Sequence, residues 1–294
     1  MILNRSPLLL LMAIPFGVAA VGLTLRRRVR LVAFVGAASA LIELVLLLDM
    51  PFEESAQLLG ATLSLSRVGQ LIVVALLIVV LGSLVVWSAL PEGKNAVPAT
   101  LLLLGLVIGA CLIQSPFGAA LLLFAAGLCG VMMLLDRAPG RDDALPTSMV
   151  AAGFKYLLVI SAGAGLLLAG LGLAQASSQY SPLAAGLVLA GLGLWLGLTP
   201  FHIALPEVAE ESSIAVFAVV VGVIELGTLL LFVGMLEVQA RVLASDGRLH
   251  RLLLGFAGLS VVVAPLFVPS VPLAHATAHP CPSSLGRSRR HHVA

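Results

Sequence analysis

The sequence predicts an all-α protein: a polytopic membrane helix bundle of about nine transmembrane helices with a broken seventh helix. Three observations carry this expectation. Of 294 residues, 60% are hydrophobic and only 10% are charged. Soluble domains carry about a quarter charged residues to cover their outside, so a soluble enzyme and a disordered chain are both excluded. The apolar residues fall in continuous runs, with a mean hydropathy of +1.14, and not in the short alternating segments of a membrane barrel. Finally, Pro200 and Pro206 stand six residues apart at the end of the seventh run.

The expected spans are 8–25, 31–50, 69–90, 97–113, 115–135, 149–174, 182–205, 214–236 and 252–268. The first follows Arg5 but lacks a small-residue cleavage site after it. The stronger basic cluster, Arg26 to Arg30, lies on its far side. It therefore reads as a retained helix with its N-terminus outside, not as a signal peptide. With Arg26–Arg30 in the cytoplasm, alternation puts the loops at 91–96 and 136–148 inside. The loops at 51–68, 175–181 and 237–251 then lie outside. The connections are short and hold most of the charges and turn formers, as in Pro91-Glu92-Gly93-Lys94-Asn95 and in Asp136 to Asp143. Residues 1–268 read as one transmembrane helical domain. Residues 269–294 read as a tail rich in Pro, His and Arg, with four of the chain's six histidines (His275, His279, His291, His292).

Sixteen basic and fourteen acidic residues nearly balance, which gives no footprint for nucleic acid. The three cysteines, Cys111, Cys129 and Cys281, are far apart. They read as small buried hydrophobes, with no metal site. No glycine-rich nucleotide fingerprint is present, and no Ser/His or paired-Asp arrangement within the spans suggests an intramembrane hydrolase.

Ionisable groups within spans cost about 2.5–3.5 kcal/mol on insertion scales and tend to face protein or water. Four stand out: Glu43 in the second span, Lys155 early in the sixth, His202 late in the seventh, and Glu225 midway along the eighth. Each has a structural reading beside the functional one. Lys155 can snorkel to the interface with Tyr156 as anchor. Glu43 can be a neutral, hydrogen-bonded acid joining two helices, and His202 a packing residue near the surface. Glu225 has no basic neighbour within a turn or two and is the strongest proton-exchange candidate. Pro200 and Pro206 each remove an amide donor, which membrane helices tolerate where a broken backbone lines a path. The following Glu207, Glu210 and Glu211 read as a solvated connector.

At this segment the chain resembles a known family. Pro200-Phe201-His202 followed by Leu205-Pro206-Glu207 is similar to the P-F-H-x-W-x-P-D signature. That signature belongs to the proton-conducting membrane subunits of respiratory complex I, and to the membrane subunits of Mrp-type antiporters and hydrogenase-4-type complexes. Ala204 replaces the usual Trp and Glu207 the usual Asp. Upstream, Gly153-Phe154-Lys155-Tyr156 with Gly163, Gly165 and Gly170 resembles the family's A-x-K-Y-F-x-x-G helix. The N-type subunit of NADH-quinone oxidoreductase is nearest.

The resemblance implies the first of two inverted five-helix repeats, and a relay built from a fifth-helix glutamate and lysines on the seventh and eighth helices. This sequence departs at those points. Cys129 stands for the glutamate, Trp195 for the seventh-helix lysine, and Glu225 at the eighth-helix lysine position. The relay candidates that remain are Lys155, His202, Glu225 and Glu43.

The resemblance implies a membrane subunit of a redox-driven proton-translocating complex, in a bacterial-type cytoplasmic membrane, with other membrane subunits as partners. The chain itself would bind no cofactor; quinone, flavin and iron–sulfur clusters would sit in partner subunits. If it belongs to an enzyme, it does so as a non-catalytic subunit of an NADH-quinone oxidoreductase-type translocase. The alternatives are a transport-inactive structural or truncated subunit of the same family, or an unrelated small-solute transporter. A frameshift near Pro265–Pro269 would account for the change of character in the tail.

Overall fold

The computed structural model describes residues 7–50, 55–58, 60–90, 93–136, 147–176, 182–198 and 204–245. The expected ninth span, the 269–294 tail, and both Pro200 and His202 lie outside these residues. The described chain is an all-α polytopic bundle with one small hairpin. Its helices are α1 (Pro7–Thr24), α2 (Val29–Asp49), α3 (Arg67–Ala89), α4 (Ala96–Leu112), α5 (Pro116–Leu134), α6 (Thr147–Ala176), α7 (Pro182–Trp195), α8 (Ala204–Glu211), α9 (Ile214–Phe217) and α10 (Ile224–Ser245). A π-helical stretch, Ala218–Val223, joins α9 to α10. Six described helices are long and apolar enough to cross a bilayer, counting Ile214–Met235 as one; α4 and α7 are shorter apolar helices. These occupy the first eight expected places.

Helix starts are locally encoded. The Ser66 and Ser115 hydroxyls accept the amides of Gly69 (3.1 Å) and Gly118 (3.3 Å), and Ser213 accepts that of Val216 (3.2 Å). Each satisfies an amide that the first turn leaves without a helical partner. Pro116 at the head of α5 needs no such partner.

Helix α4 is the hub. It is buried at 13 of its 17 positions, as expected for a helix that is apolar all round. It packs on α1, α2, α3 and α5, and also touches the π-helical stretch and α10. The remaining order is α2 on α3, α5 on α6, and α6 on α7 and α8.

The 51–68 connection, expected as a plain loop, contains a hairpin of β1 (Ser55–Leu58) and β2 (Ala61–Ser64), paired Ser55↔Ser64 through Leu58↔Ala61. Its turn contains Gly60 at φ +83°, a left-handed conformation that favours glycine. The hairpin is tied to the α4–α5 turn by Gln114. The Gln114 amide donates to Thr62 O (3.1 Å), its Nε2 donates to Ser64 Oγ (2.9 Å), and its Oε1 accepts from Thr62 Oγ1 (2.8 Å). At the other end of the bundle, Asp136 accepts from the Asn95 amide at 2.6 Å, tying the end of α5 to the start of α4.

The seventh span breaks, and earlier than the prolines suggest. Helix α7 stops at Trp195. The Gly197 amide donates to Leu194 O (3.3 Å) and the Leu198 amide to Gly193 O (2.9 Å), with Gly197 at φ +56°. These are the two reverse bonds of a Schellman termination. The 14 residues of α7 rise about 21 Å, short of the ~30 Å hydrocarbon core. Pro206 is not a break inside a helix. It sits exposed in the first turn of α8, where a missing amide costs nothing.

Candidate functional site

The polar residues of interest gather where α5, α6 and the junction of the π-helical stretch with α10 meet. Gly130 of α5 makes the meeting possible. A Cβ there would lie 3.0 Å from Val220, 3.5 Å from Ile224 and 3.6 Å from Tyr156. Tyr156 of α6 is buried and faces the same glycine as Ile224, the residue before Glu225. Glu225 is half-buried and is the second residue after the π-helical stretch. A π-turn adds one residue to the helical repeat, and such turns frequently occur at functional sites. Behind Glu225 the helix is locked in place. Gly227 packs so closely that a Cβ would meet Val107 at 2.7 Å and Leu123 at 2.8 Å, and the Thr228 hydroxyl donates to Ile224 O at 2.8 Å.

Lys155, the neighbour of Tyr156, points elsewhere. Its Nζ pairs with Glu207 Oε1 of α8 at 2.5 Å, with both side chains about half exposed on the bundle's outer side. This corrects two structural readings made from sequence. Lys155 is an ion-paired residue and not a lone snorkelling one, and Glu207 is its partner and not a solvated connector. Successive residues on a helix project about 100° apart. Helix α6 therefore carries an ion pair outward and turns Tyr156 inward.

Trp195 and Cys129, where the family that the sequence resembles would carry charges, have structural roles here. Trp195 is buried, its Nε1 donates to Ile160 O at 2.9 Å, and its ring covers Gly163, where a Cβ would lie 2.5 Å from Cδ1. Ile160 in turn fills the space above Gly127 of α5, at 2.6 Å from a Cβ there. Trp195 thus closes a packed series from α7 through α6 to α5. Cys129, half-buried, packs against the core beside Gly130.

Glu43 is not part of this cluster. It lies on α2, which packs on α1, α3 and α4, and its carboxyl has no hydrogen-bond partner. The expected hydrogen-bonded acid joining two helices is therefore not what the structure contains. Of the expected candidates, then, Glu225 follows Ile224, which faces Gly130 together with Tyr156, Lys155 meets Glu207, Glu43 stands apart, and His202 and Pro200 fall outside the described residues. Sequence reasoning missed the inward role of Tyr156 and the pairing of Glu207. The signal for the second was present: Glu207 occupies the acidic position of the signature that the segment resembles.

No protein-family model matches the chain, and no curated protein matches it. Among solved structures it is similar to a chain of the membrane-bound sulfane sulfur reductase (MBS), an archaeal respiratory membrane complex. The TM-score is 0.65 at 19% identity, and the match covers 78% of this chain and 40% of that one. The likeness establishes a shared fold, over less than half of the other chain's length.

Proposed function

We propose that the chain is a membrane subunit of a redox-driven, proton-translocating complex of the NADH-quinone oxidoreductase-like kind, set among other membrane subunits in a bacterial-type cytoplasmic membrane. The observation that carries this reading is Glu225, the second residue after a π-turn, half-buried next to Ile224 where that residue and Tyr156 pack on Gly130. The fold likeness to a chain of a respiratory membrane complex supports it. In this reading Glu225 accepts and returns a proton with the Tyr156 hydroxyl beside it. The Lys155–Glu207 pair on the outer side of α6 acts on that exchange through its dipole, whose field changes when the pair opens. Flavin, quinone and iron–sulfur chemistry belongs to partner subunits.

A second reading has its own support: a transport-inactive structural subunit of the same architecture. Trp195 and Cys129 stand at positions where the resembled family carries relay charges, and both serve packing here.

Reconstitution separates the two. The assembly is purified through a tag on this chain, placed in liposomes, and assayed for proton pumping and electron transfer. Glu225→Gln and Lys155→Ala should each lower pumping at least about tenfold, in line with the loss of a positioned proton-transfer group, while electron transfer persists in part. The Lys155–Glu207 pair is half exposed, and exposed pairs contribute only about 0–1 kcal/mol. Lys155→Ala should therefore assemble normally. Unchanged pumping in both variants would establish the structural reading.

A further inference from the structure

Glu43 lies on the buried stripe of α2 together with Val32, Ala33, Gly36, Ser39, Ala40 and Leu47. It is 0% exposed, and neither carboxyl oxygen has a hydrogen-bond partner. Its surroundings can be bracketed along the helix. Two turns before it, a Cβ on Gly36 would meet Leu101 of α4 at 3.3 Å and Leu84 of α3 at 3.4 Å. One turn after it, Leu47 O accepts from Gln70 Nε2 of α3 at 2.8 Å. Glu43 therefore sits between these levels in the α2–α3–α4 packing.

The elements around it bring almost no charge. Helix α1 has no ionisable side chain. Helix α4 has only Cys111, near its far end. Helix α3 has only Arg67, at its first residue, on the far side of the Gln70–Leu47 contact. On α2 itself, Arg30 and Asp49 lie at the two ends. Hydroxyls on these helices donate to their own backbones: Ser39 to Gly36 O, Ser83 to Val79 O and Thr100 to Ala96 O.

An ionised, unpaired carboxylate in such packing costs several kcal/mol. A hard metal cation would need about six oxygen ligands, and among the described residues the surrounding faces do not offer them. A proton neutralises the group and needs no further ligand. We propose that Glu43 is a proton-binding site in its own right, holding one proton within the α1–α4 part of the bundle. Helix α3, which packs on both α2 and the π-helical stretch, stands between it and the Glu225 cluster. The site does not depend on whether the chain moves protons across the membrane.

The test is infrared spectroscopy of the full chain in lipid nanodiscs at neutral pH. A carboxylic-acid C=O band is expected at the high-frequency position of an acid without a hydrogen-bond partner. It should shift on ¹³C-glutamate labelling, vanish in Glu43→Gln and survive in Glu225→Gln. Should Glu43→Gln not accumulate as folded protein, Glu43→Leu serves in the same comparison. That variant should unfold at an equal or higher temperature, because an unpartnered polar group has been replaced by an apolar one. Absence of the band, its persistence without Glu43, or its conversion to a carboxylate signal on adding sodium ions would overturn the proposal.

Discussion

At the scale of single residues, Trp195 shows how one side chain sets the physics of its position in a helix bundle. A lysine there would bring a charge needing a partner inside the bundle. The indole instead brings a large apolar surface and one donor, and Ile160 O accepts that donor at 2.9 Å. Trp195→Phe should keep most of the packing and lose the hydrogen bond, at about 1 kcal/mol. Trp195→Ala should open a cavity over Gly163 and cost about 3–5 kcal/mol. Thermal unfolding in detergent should rank wild type above Phe and Phe above Ala. Equal melting of the Phe and Ala variants would mean that the ring packs less tightly than its contacts indicate. The sequence revealed that the position lacks an exchangeable charge. It did not reveal the carbonyl that receives the indole, because that acceptor is on another helix, 35 residues earlier.

At the scale of elements, α6 and α7 form the closest pair, and small residues set their separation. A Cβ on Gly191 would lie 2.7 Å from both Gly163 O and Leu167 N. One on Gly170 would lie 2.9 Å from Ala184 O. These are backbone contacts, so no side chain can rotate away to relieve them. Gly191→Ala should force the helices apart and cost about 1–3 kcal/mol. Gly172→Ala, where nothing stands within 4 Å, should be neutral or stabilise α6 by up to about 1 kcal/mol. Melting temperatures of the two variants should move in opposite directions or differ clearly. In the sequence, Gly163, Gly165 and Gly170 look alike as a small-residue series. Only the packing separates Gly163 and Gly170, which meet α7, from Gly165, which meets nothing. The end of α7 follows the same logic. The conspicuous prolines drew attention to 200–206, yet the helix ends at the less conspicuous Gly197, because left-handed backbone closes the last turn.

At the scale of the whole molecule, the two ends of the bundle are held by different polar ties. The Asn95–Asp136 bond joins α4 to α5 at one end. The Gln114–Thr62–Ser64 set joins the hairpin to the α4–α5 turn at the other. The basic cluster at Arg26–Arg30 leads to the expectation that the Asn95 end faces the cytoplasm. A single cysteine introduced at Lys94 should react with a membrane-impermeant thiol reagent only from the cytoplasmic side, and one at Gly60 only from the opposite side. The native cysteines are replaced by alanine for this measurement. The reverse pattern would invert the assigned orientation and leave the fold intact.

The sequence by itself determined that this chain is a bundle of membrane helices and where the first eight of them begin, because a continuous apolar run of span length has few other stable forms in lipid. It also determined several helix starts, since serine caps act within one turn. The hairpin escaped it, because four-residue strands are too short to establish a period. Tertiary structure alone decided which polar groups meet. Lys155 and Glu207, and Trp195 and Ile160, are distant in sequence, and their encounter depends on how each helix is rotated about its axis. A rotation of one residue, about 100°, separates the outward Lys155 from the inward Tyr156, and hydrophobicity that is nearly uniform around a membrane helix does not encode it.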